Sequence, residues 1–231
     1  MVNPYDLYAV EEALRISEEH GGSVTALSMG PPQVQEALRE VVSMGVEAAF
    51  LLTDREFAGA DTLATSYTLA RGLEKIGEFD LIFCGKQAVD GDTAQVGPEL
   101  AEHLGLPFVG FVRKVREVRP GFICVERMTD EGAEVVESPL PAVISVVKEI
   151  NEPRLPSLRG KMKAKKFEAE EWSASDVGAA EDRIGLKGSP TWVTRSFTPE
   201  ARGSGEILEG EDSAALAAAL ARKIRDLGVC T

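Results

Sequence analysis

The sequence predicts an α/β protein built on a doubly wound, mostly parallel sheet, with an extended C-terminal arm and helix. Two observations carry this. Amphipathic helical segments alternate with short apolar runs from residue 6 to residue 85, and the connections between them are short. Hydrophobic residues make up 44% of the chain but aromatics only 6%, so the core must be mainly Ala, Val, Leu and Ile. Such a core suits strands covered by helices better than a β-sandwich. At 231 residues the chain is long enough for one large domain, or for one domain with an appendage.

Residues 6–20 read as a helix with Leu7, Val10, Leu14 and Ile16 apolar and Glu11, Glu12, Glu18 and Glu19 facing water; Gly21 and Gly22 stop it. SVTALSM (23–29) reads as a strand ending at Gly30-Pro31-Pro32, and a second helix runs from about Gln33 to Ser43. AAFLLT (48–53) is a buried-strand run, Asp61 to Ile76 a third helix with Asp61 as its N-cap, and FDLIFCG (79–85) a third strand. A polar loop leads into a helix of about Thr93 to Leu104. PFVGFV (107–112) precedes a hairpin turning at Pro120-Gly121, and PAVISVVKEI (141–150) is a further buried strand. The last element is an Ala-rich helix of about Asp212 to Leu227, closed by Gly228. The pattern opens on a helix, as though the strand that should precede it were absent.

Thirty-eight acidic residues against 25 basic ones give a net charge of −13, which excludes a general nucleic-acid binder. No run of about 18 apolar residues occurs, so direct membrane insertion is not expected. The N-terminus lacks the basic start and apolar core of a secretory signal. Cys84, Cys124 and Cys230 have no CxxC spacing, which argues against a disulfide framework or zinc site and makes a reducing cytoplasm the default. His20 and His103 read as surface helix residues, so histidine-based catalysis is excluded.

The chemistry-bearing stretch follows the third strand, where open parallel sheets bind ligands. A helix beginning near Thr93 would aim the amides of Thr93, Ala94, Gln95 and Val96 outward as an anion site, with the Thr93 hydroxyl beside them. Asp90 and Asp92 would repel a phosphate there. Asp92 fits an N-cap, and Asp90 a ribose hydroxyl. The segment reads equally as a nucleotide loop or as a turn. Gly30 permits close approach of a ligand, but a helix-entry turn needs it too. Neither GxGxxG nor GxxxxGK[ST] occurs.

From Asn151 to Lys166 the composition turns basic, with Arg154, Arg159, Lys161, Lys163, Lys165 and Lys166. Pro153 and Pro156 hold the chain extended, and Leu155, Leu158 and Met162 stand as apolar residues on an exposed loop. Apolar anchors among charges suit protein docking better than phosphate binding. From Phe167 to about Gly210 there is no sustained periodicity, and the stretch reads as an arm rather than a second domain.

At these residues the sequence resembles the beta subunit of electron-transfer flavoproteins, in the adenine-nucleotide-binding α/β superfamily. The matching segments are VNPYDLYAVEEALR, ALSMGPPQVQEALREVVSMG, GKQAVDGDTAQVGP and VVKEINEPRLPSLRGKMKAKK, which fall in order within residues 2–166. The tail IGLKGSPTWVTRSFTPEARGSGEIL resembles the arm of FixA-type and electron-bifurcating members. The resemblance implies a Rossmann-like nucleotide-binding domain over 1–166, with a partner-recognition loop at about 151–166. Residues 167–231 would be an arm and helix wrapping an alpha subunit. It implies an electron carrier rather than an enzyme in the usual sense. The alpha subunit's FAD would shuttle electrons between a flavin dehydrogenase, such as an acyl-CoA dehydrogenase, and an acceptor.

Carried over by position, the phosphate site falls on Ala94, Gln95 and Val96, with Thr93 beside them. Asn3 and Met29 would line the adenosine pocket, with Gly30, Gly85, Gln87 and Asp90 as the remaining cofactor-binding candidates. Leu158 matches the hydrophobic anchor of the recognition loop, with Arg154, Leu155, Met162 and Lys163 as its neighbours. The pocket would hold AMP in ordinary members and a second FAD in bifurcating ones, where NADH is the electron donor. DGDTAQVGP and GLKGSP point to the second group, KMKAKK to the first. Family members open with a further strand and a nucleotide-contacting loop ahead of Asn3-Pro4. Without them the sheet would lack a central strand, expose apolar edges and carry a damaged nucleotide site. Two alternatives come from the same superfamily. An ATP-pyrophosphatase-like enzyme would need an SGGxDS-type loop after the first strand; none occurs in these 231 residues, although it would sit in the N-terminal element that family members carry ahead of Asn3. A stress-protein-like nucleotide sensor leaves the proline-braced basic loop unexplained.

Overall fold

A computed structural model describes residues 1–198, 203 and 205–228. The chain forms two compact units, Met1–Trp192 and Val193–Thr231. Helix α1 (Pro4–His20) starts with proline at its first position, where the missing N–H costs nothing, and ends at Gly21 with φ 82°. Strand β1 (Thr25–Met29), helix α2 (Gln35–Met44), strand β2 (Ala48–Leu52), helix α3 (Thr62–Ile76) and strand β3 (Leu81–Gly85) follow in the expected alternation. Asp61 caps α3 as the spacing predicts, its carboxylate accepting from the Ala64 amide at 3.2 Å.

Helix α4 (Val96–Leu104) starts three residues later than the apolar pattern suggested, because Asp92 and Ala94 take left-handed backbone (φ 53° and 56°) that no helix can include. Strands β4 (Phe108–Arg119), β5 (Phe122–Thr129) and β6 (Gly132–Pro139) make an antiparallel meander, and β7 (Ala142–Val146) returns to the centre. Helix α5 (Leu158–Lys165) and the short strand β8 (Glu170–Trp172) complete the first unit's regular elements.

The protein is a mixed α/β fold, but its backbone ladders do not form the single sheet expected. One sheet has the order β1-β2-β8, all parallel; the other has β3-β7-β4-β5-β6, parallel through β4 and antiparallel beyond. Sequence order fixes alternation, not adjacency. Among the described residues, β1 and β3 each keep one edge without a strand partner.

The aliphatic core anticipated from composition is present in two clusters. One surrounds β7 (Ile144, Val146) and β5 (Ile123, Val125), and the other lies between α2 and β2 (Leu38, Val42, Leu51). A third cluster is different. Residues 167–192, read as the start of the arm, pack within the first unit: β8 pairs with β2, and Trp172 stacks on Phe50 with ring centroids 4.2 Å apart. Val177 and Ile184 are buried beside Phe57 and Tyr67. Gly185 (φ 52°) lets this segment lie on the Glu56 carbonyl, where a Cβ would be 2.0 Å away. Ser189 and Thr191 then bind Asp61, the Thr191 hydroxyl at 2.8 Å.

In the second unit, helix α6 (Ser213–Asp226) is capped by Asp212 and presents Leu216 and Leu220 to solvent. Cys230 lies outside the described residues. No helix among them is long and apolar enough to cross a membrane.

Candidate functional site

The first turn of α1 sits directly on the carboxyl end of β3. Asp6 accepts from the Gly85 amide at 2.7 Å. A Cβ on Gly85 would meet the Tyr5 carbonyl carbon at 2.6 Å, so this glycine serves helix packing within the chain. Burial raises the Asp6 pKa, against the hydrogen bonds from Gly85 and Asn3 that lower it. Asn3 bridges helix and loop. Its amide group donates to the Gln87 carbonyl at 3.0 Å and accepts from the Val89 amide at 3.2 Å, so it is engaged in holding the loop.

Asp90 is exposed and accepts from the Gly91 amide at 2.8 Å. Asp92 does not cap α4, contrary to expectation. Its left-handed backbone turns it toward Gln87, whose side-chain amide it accepts, and the N-cap position is taken by Gln95 without a side-chain bond. The amides of Thr93, Ala94, Gln95 and Val96 find no partner among the described residues. Thr93, Ala94 and Gln95 lie on the approach to the helix, where Ala94 is left-handed, and Val96 is the first residue of its first turn. Unpaired amides carry partial positive charge, to which the N-terminus of α4 adds. Met29 and Gly30 stand at the carboxyl end of β1, where Gly30 donates to the Leu52 carbonyl at 3.0 Å. No hydrogen bond among the described residues joins them to the 85–96 loop.

The docking candidates form a different structure from the exposed loop expected. Residues 151–157 are irregular; the Ser157 side chain accepts from the Gly160 amide at 3.0 Å and caps α5, which carries Leu158 and Met162. Leu155, Leu158 and Met162 are 91%, 78% and 63% exposed. Buried Ala164 seats the helix on the α2–β2 cluster. Lys163 is used inside the chain, donating to the Val46 and Glu47 carbonyls at 3.2 Å each. Arg154 is likewise tied to α1, through Glu11 and Glu18.

Sequence reasoning missed Asp6 as a loop anchor, and it placed Glu11 and Glu12 on the wet face of α1. Both glutamates are buried. Their partners, Arg154 and Asn151, come from more than a hundred residues away, a pairing that helical periodicity cannot disclose. His103, expected at the surface, packs edge-on against Tyr67, and its Nε2 has no partner among the described residues. Cys84 and Cys124 are free thiols, and burial beside Asp6 pushes Cys84 up to about 12, which leaves it unreactive. Among the described residues no cluster could hold a metal.

An amide-bearing loop lies beside the end of a parallel strand, and Arg154, just ahead of the exposed Leu155 and Leu158, is tied to the same α1, on a mixed α/β fold. The electron transfer flavoprotein domain model matches residues 1–177, and the chain belongs to that family. An electron transfer flavoprotein subunit beta of Thermoanaerobacterium thermosaccharolyticum is 48% identical over 91% of this chain and 80% of the relative. Subunit CarD of the caffeyl-CoA reductase-Etf complex of Acetobacterium woodii is 43% identical over 98% of this chain and 86% of its own length. Protein FixA of Azorhizobium caulinodans is 46% identical over 87% of this chain and 74% of its own.

Proposed function

We propose that this chain is the beta subunit of a heterodimeric electron-transfer flavoprotein, an electron carrier that pairs with an FAD-bearing alpha subunit and docks on a flavin dehydrogenase. The observation that carries the reading is that α1 fastens both an open-amide loop, through Asn3 and Asp6, and a segment of exposed leucines, through Glu11. A carrier needs both features on one body.

The FAD of the alpha subunit supplies the redox chemistry. The residues of this chain bind and orient. The amides of Thr93, Ala94, Gln95 and Val96 donate to phosphate oxygens of AMP or of a second FAD. Asn3 and Asp6 hold the loop against α1, while Leu155, Leu158 and Met162 offer apolar surface to the dehydrogenase. In the second unit, the exposed leucines of α6 face the alpha subunit. We read the fold as the Rossmann-like, adenine-nucleotide-binding type, supported by the parallel ladder of β3, β7 and β4. The free thiols Cys84 and Cys124 support a reducing cytoplasm.

The test is nucleotide content. The chain is co-expressed with its alpha subunit, and the purified heterodimer is denatured and its nucleotides quantified by chromatography. FAD and AMP each equimolar with the heterodimer mark a simple carrier. FAD at twice the heterodimer with no AMP marks the bifurcating form, with NADH oxidation as the next assay. No nucleotide beyond the alpha subunit's FAD sinks the phosphate assignment. Gln95→Pro removes one amide donor and forces the preceding Ala94 out of its left-handed conformation. It is expected to lose the beta-subunit nucleotide while keeping the alpha subunit's FAD.

A further inference from the structure

Helix α1 carries buried carboxylates for which the nucleotide loop has no use. Glu11 is 3% exposed and Glu12 8%. Buried carboxylates persist only where they are paired. Glu11 Oε2 accepts from the Arg154 backbone amide at 3.0 Å and from its Nε at 2.8 Å, and Oε1 accepts from Arg15 at 2.8 Å. Arg154 also pairs with Glu18 two turns further along α1. Asn151 donates to Glu12 at 2.9 Å and to the Tyr8 carbonyl at 3.0 Å. Burial alone would raise the Glu11 pKa, but the hydrogen bonds from Arg154 and Arg15 outweigh it and hold the carboxyl below its ordinary range.

The clamp lies immediately before the exposed leucines. Leu155 is the residue after Arg154, Pro156 fixes the next step of backbone, and Ser157 caps the helix that begins with Leu158. The body of that helix is fastened separately. Lys163 binds the Val46 and Glu47 carbonyls, and Gly160 lies so close to the Ser43 carbonyl that a Cβ would be 2.1 Å from its oxygen. An apolar surface held at both ends loses little conformational entropy when a partner lands on it.

We propose that Glu11 is a positioning residue for partner docking: through Arg154 it fixes the direction in which Leu155 and Leu158 are presented, without itself touching the partner. The inference rests on the docking reading given above. A clamp that served only the fold would stabilise the chain and leave docking unaffected.

The experiment uses the complete heterodimer and a purified flavin acyl-CoA dehydrogenase from which it accepts electrons, with affinity measured by calorimetry. Glu11→Gln, Leu158→Ala and the double variant are compared, with flavin content and thermal midpoint recorded for each. Glu11→Gln is expected to weaken binding about tenfold with flavin content intact. In the Leu158→Ala background it should add less than about twofold, because both changes remove one presented surface. Equal weakening in both backgrounds overturns the proposal, as does unchanged affinity for Glu11→Gln where Leu158→Ala still weakens binding. If Leu158→Ala is itself neutral, the docking reading fails and the inference falls with it. Should Glu11→Gln not accumulate, Arg154→Lys takes its place under the same outcomes, since it keeps the charge and loses the forked contact.

Discussion

The loop from Gly85 to Val96 is fastened to α1, while the segment from Arg154 to Lys165 is held by α1 through Arg154 and by the α2–β2 turn through Lys163, and the two offer opposite kinds of surface. The loop presents backbone. Its amides from Thr93 to Val96 find no partner among the described residues, and two non-glycine residues hold left-handed conformations that cost about 1–2 kcal/mol each. The segment presents side chains. Its backbone is bonded or helical, and its leucines stand in solvent. The two sites should therefore fail differently. The loop responds to what changes its backbone, and the segment to what truncates its side chains.

The largest expected effect is at the joint between loop and helix. Gly85→Ala puts a methyl 2.6 Å from the Tyr5 backbone, which has no side-chain freedom to yield. Overpacking of this kind costs about 3 kcal/mol. Urea unfolding should show that loss, together with loss of the beta-subunit nucleotide as α1 shifts and takes Asn3 from the loop. Wild-type stability in Gly85→Ala would mean that the helix is not seated as described.

Leu158→Ala is the matching change in the docking segment. The side chain is 78% exposed, so stability should stay within about 0.5 kcal/mol of wild type. Affinity for the dehydrogenase should fall by about 2 kcal/mol, the scale of a buried interface anchor. Stopped-flow reduction of the heterodimer by the dehydrogenase reads the second effect. Unchanged kinetics would remove the docking role and leave the segment a solvated face.

Much of this was legible in the sequence, and the rest was not for identifiable reasons. Alternation of apolar runs located β1, β2, β3 and the helices between them, and Asp61 announced the start of α3. The open amides at Thr93 to Val96 were expected correctly, but for the wrong reason. Only Val96 belongs to the helix; the others stand on an approach with left-handed Asp92 and Ala94, which the Asp and Ala side chains do not signal. Helix α5 was missed because two prolines and a glycine mark the segment as irregular. What orders α5 is its contact with Ser43 and the Val46 and Glu47 carbonyls, which is tertiary. Trp172, Val177 and Ile184 have no periodicity because they pack from short irregular pieces, and this hid how much of the supposed arm is core.

Acid titration sharpens the contrast within α1. The folded Glu11 carboxyl lies below its ordinary 4.5, so the stability it contributes is full above that pH and is lost as pH falls through the folded value. Glu12 and Asp6 run the other way. Burial raises both, so each costs stability above its folded pKa, and acidification relieves that cost. Glu11→Gln should therefore make the acid-side loss of stability shallower, measured as urea midpoints between about pH 3 and 6. An acid limb unchanged from wild type would mean that the carboxylate contributes nothing to the joint with Arg154.

The smallest effect expected is at Ala94, where the contrast is tested most finely. At φ 56° its methyl group crowds the backbone, and glycine would relieve that strain while adding freedom to the unfolded chain. Ala94→Gly should raise stability by up to about 1 kcal/mol, because the left-handed penalty exceeds the added entropy. Its amide is retained, so nucleotide content of the heterodimer should not change. The outcome would then mirror Leu158→Ala, with the side chain mattering to the fold and not to the ligand. If Ala94→Gly instead sheds the nucleotide, the methyl group is holding the amides in register, and the loop depends on a side chain as the docking segment does.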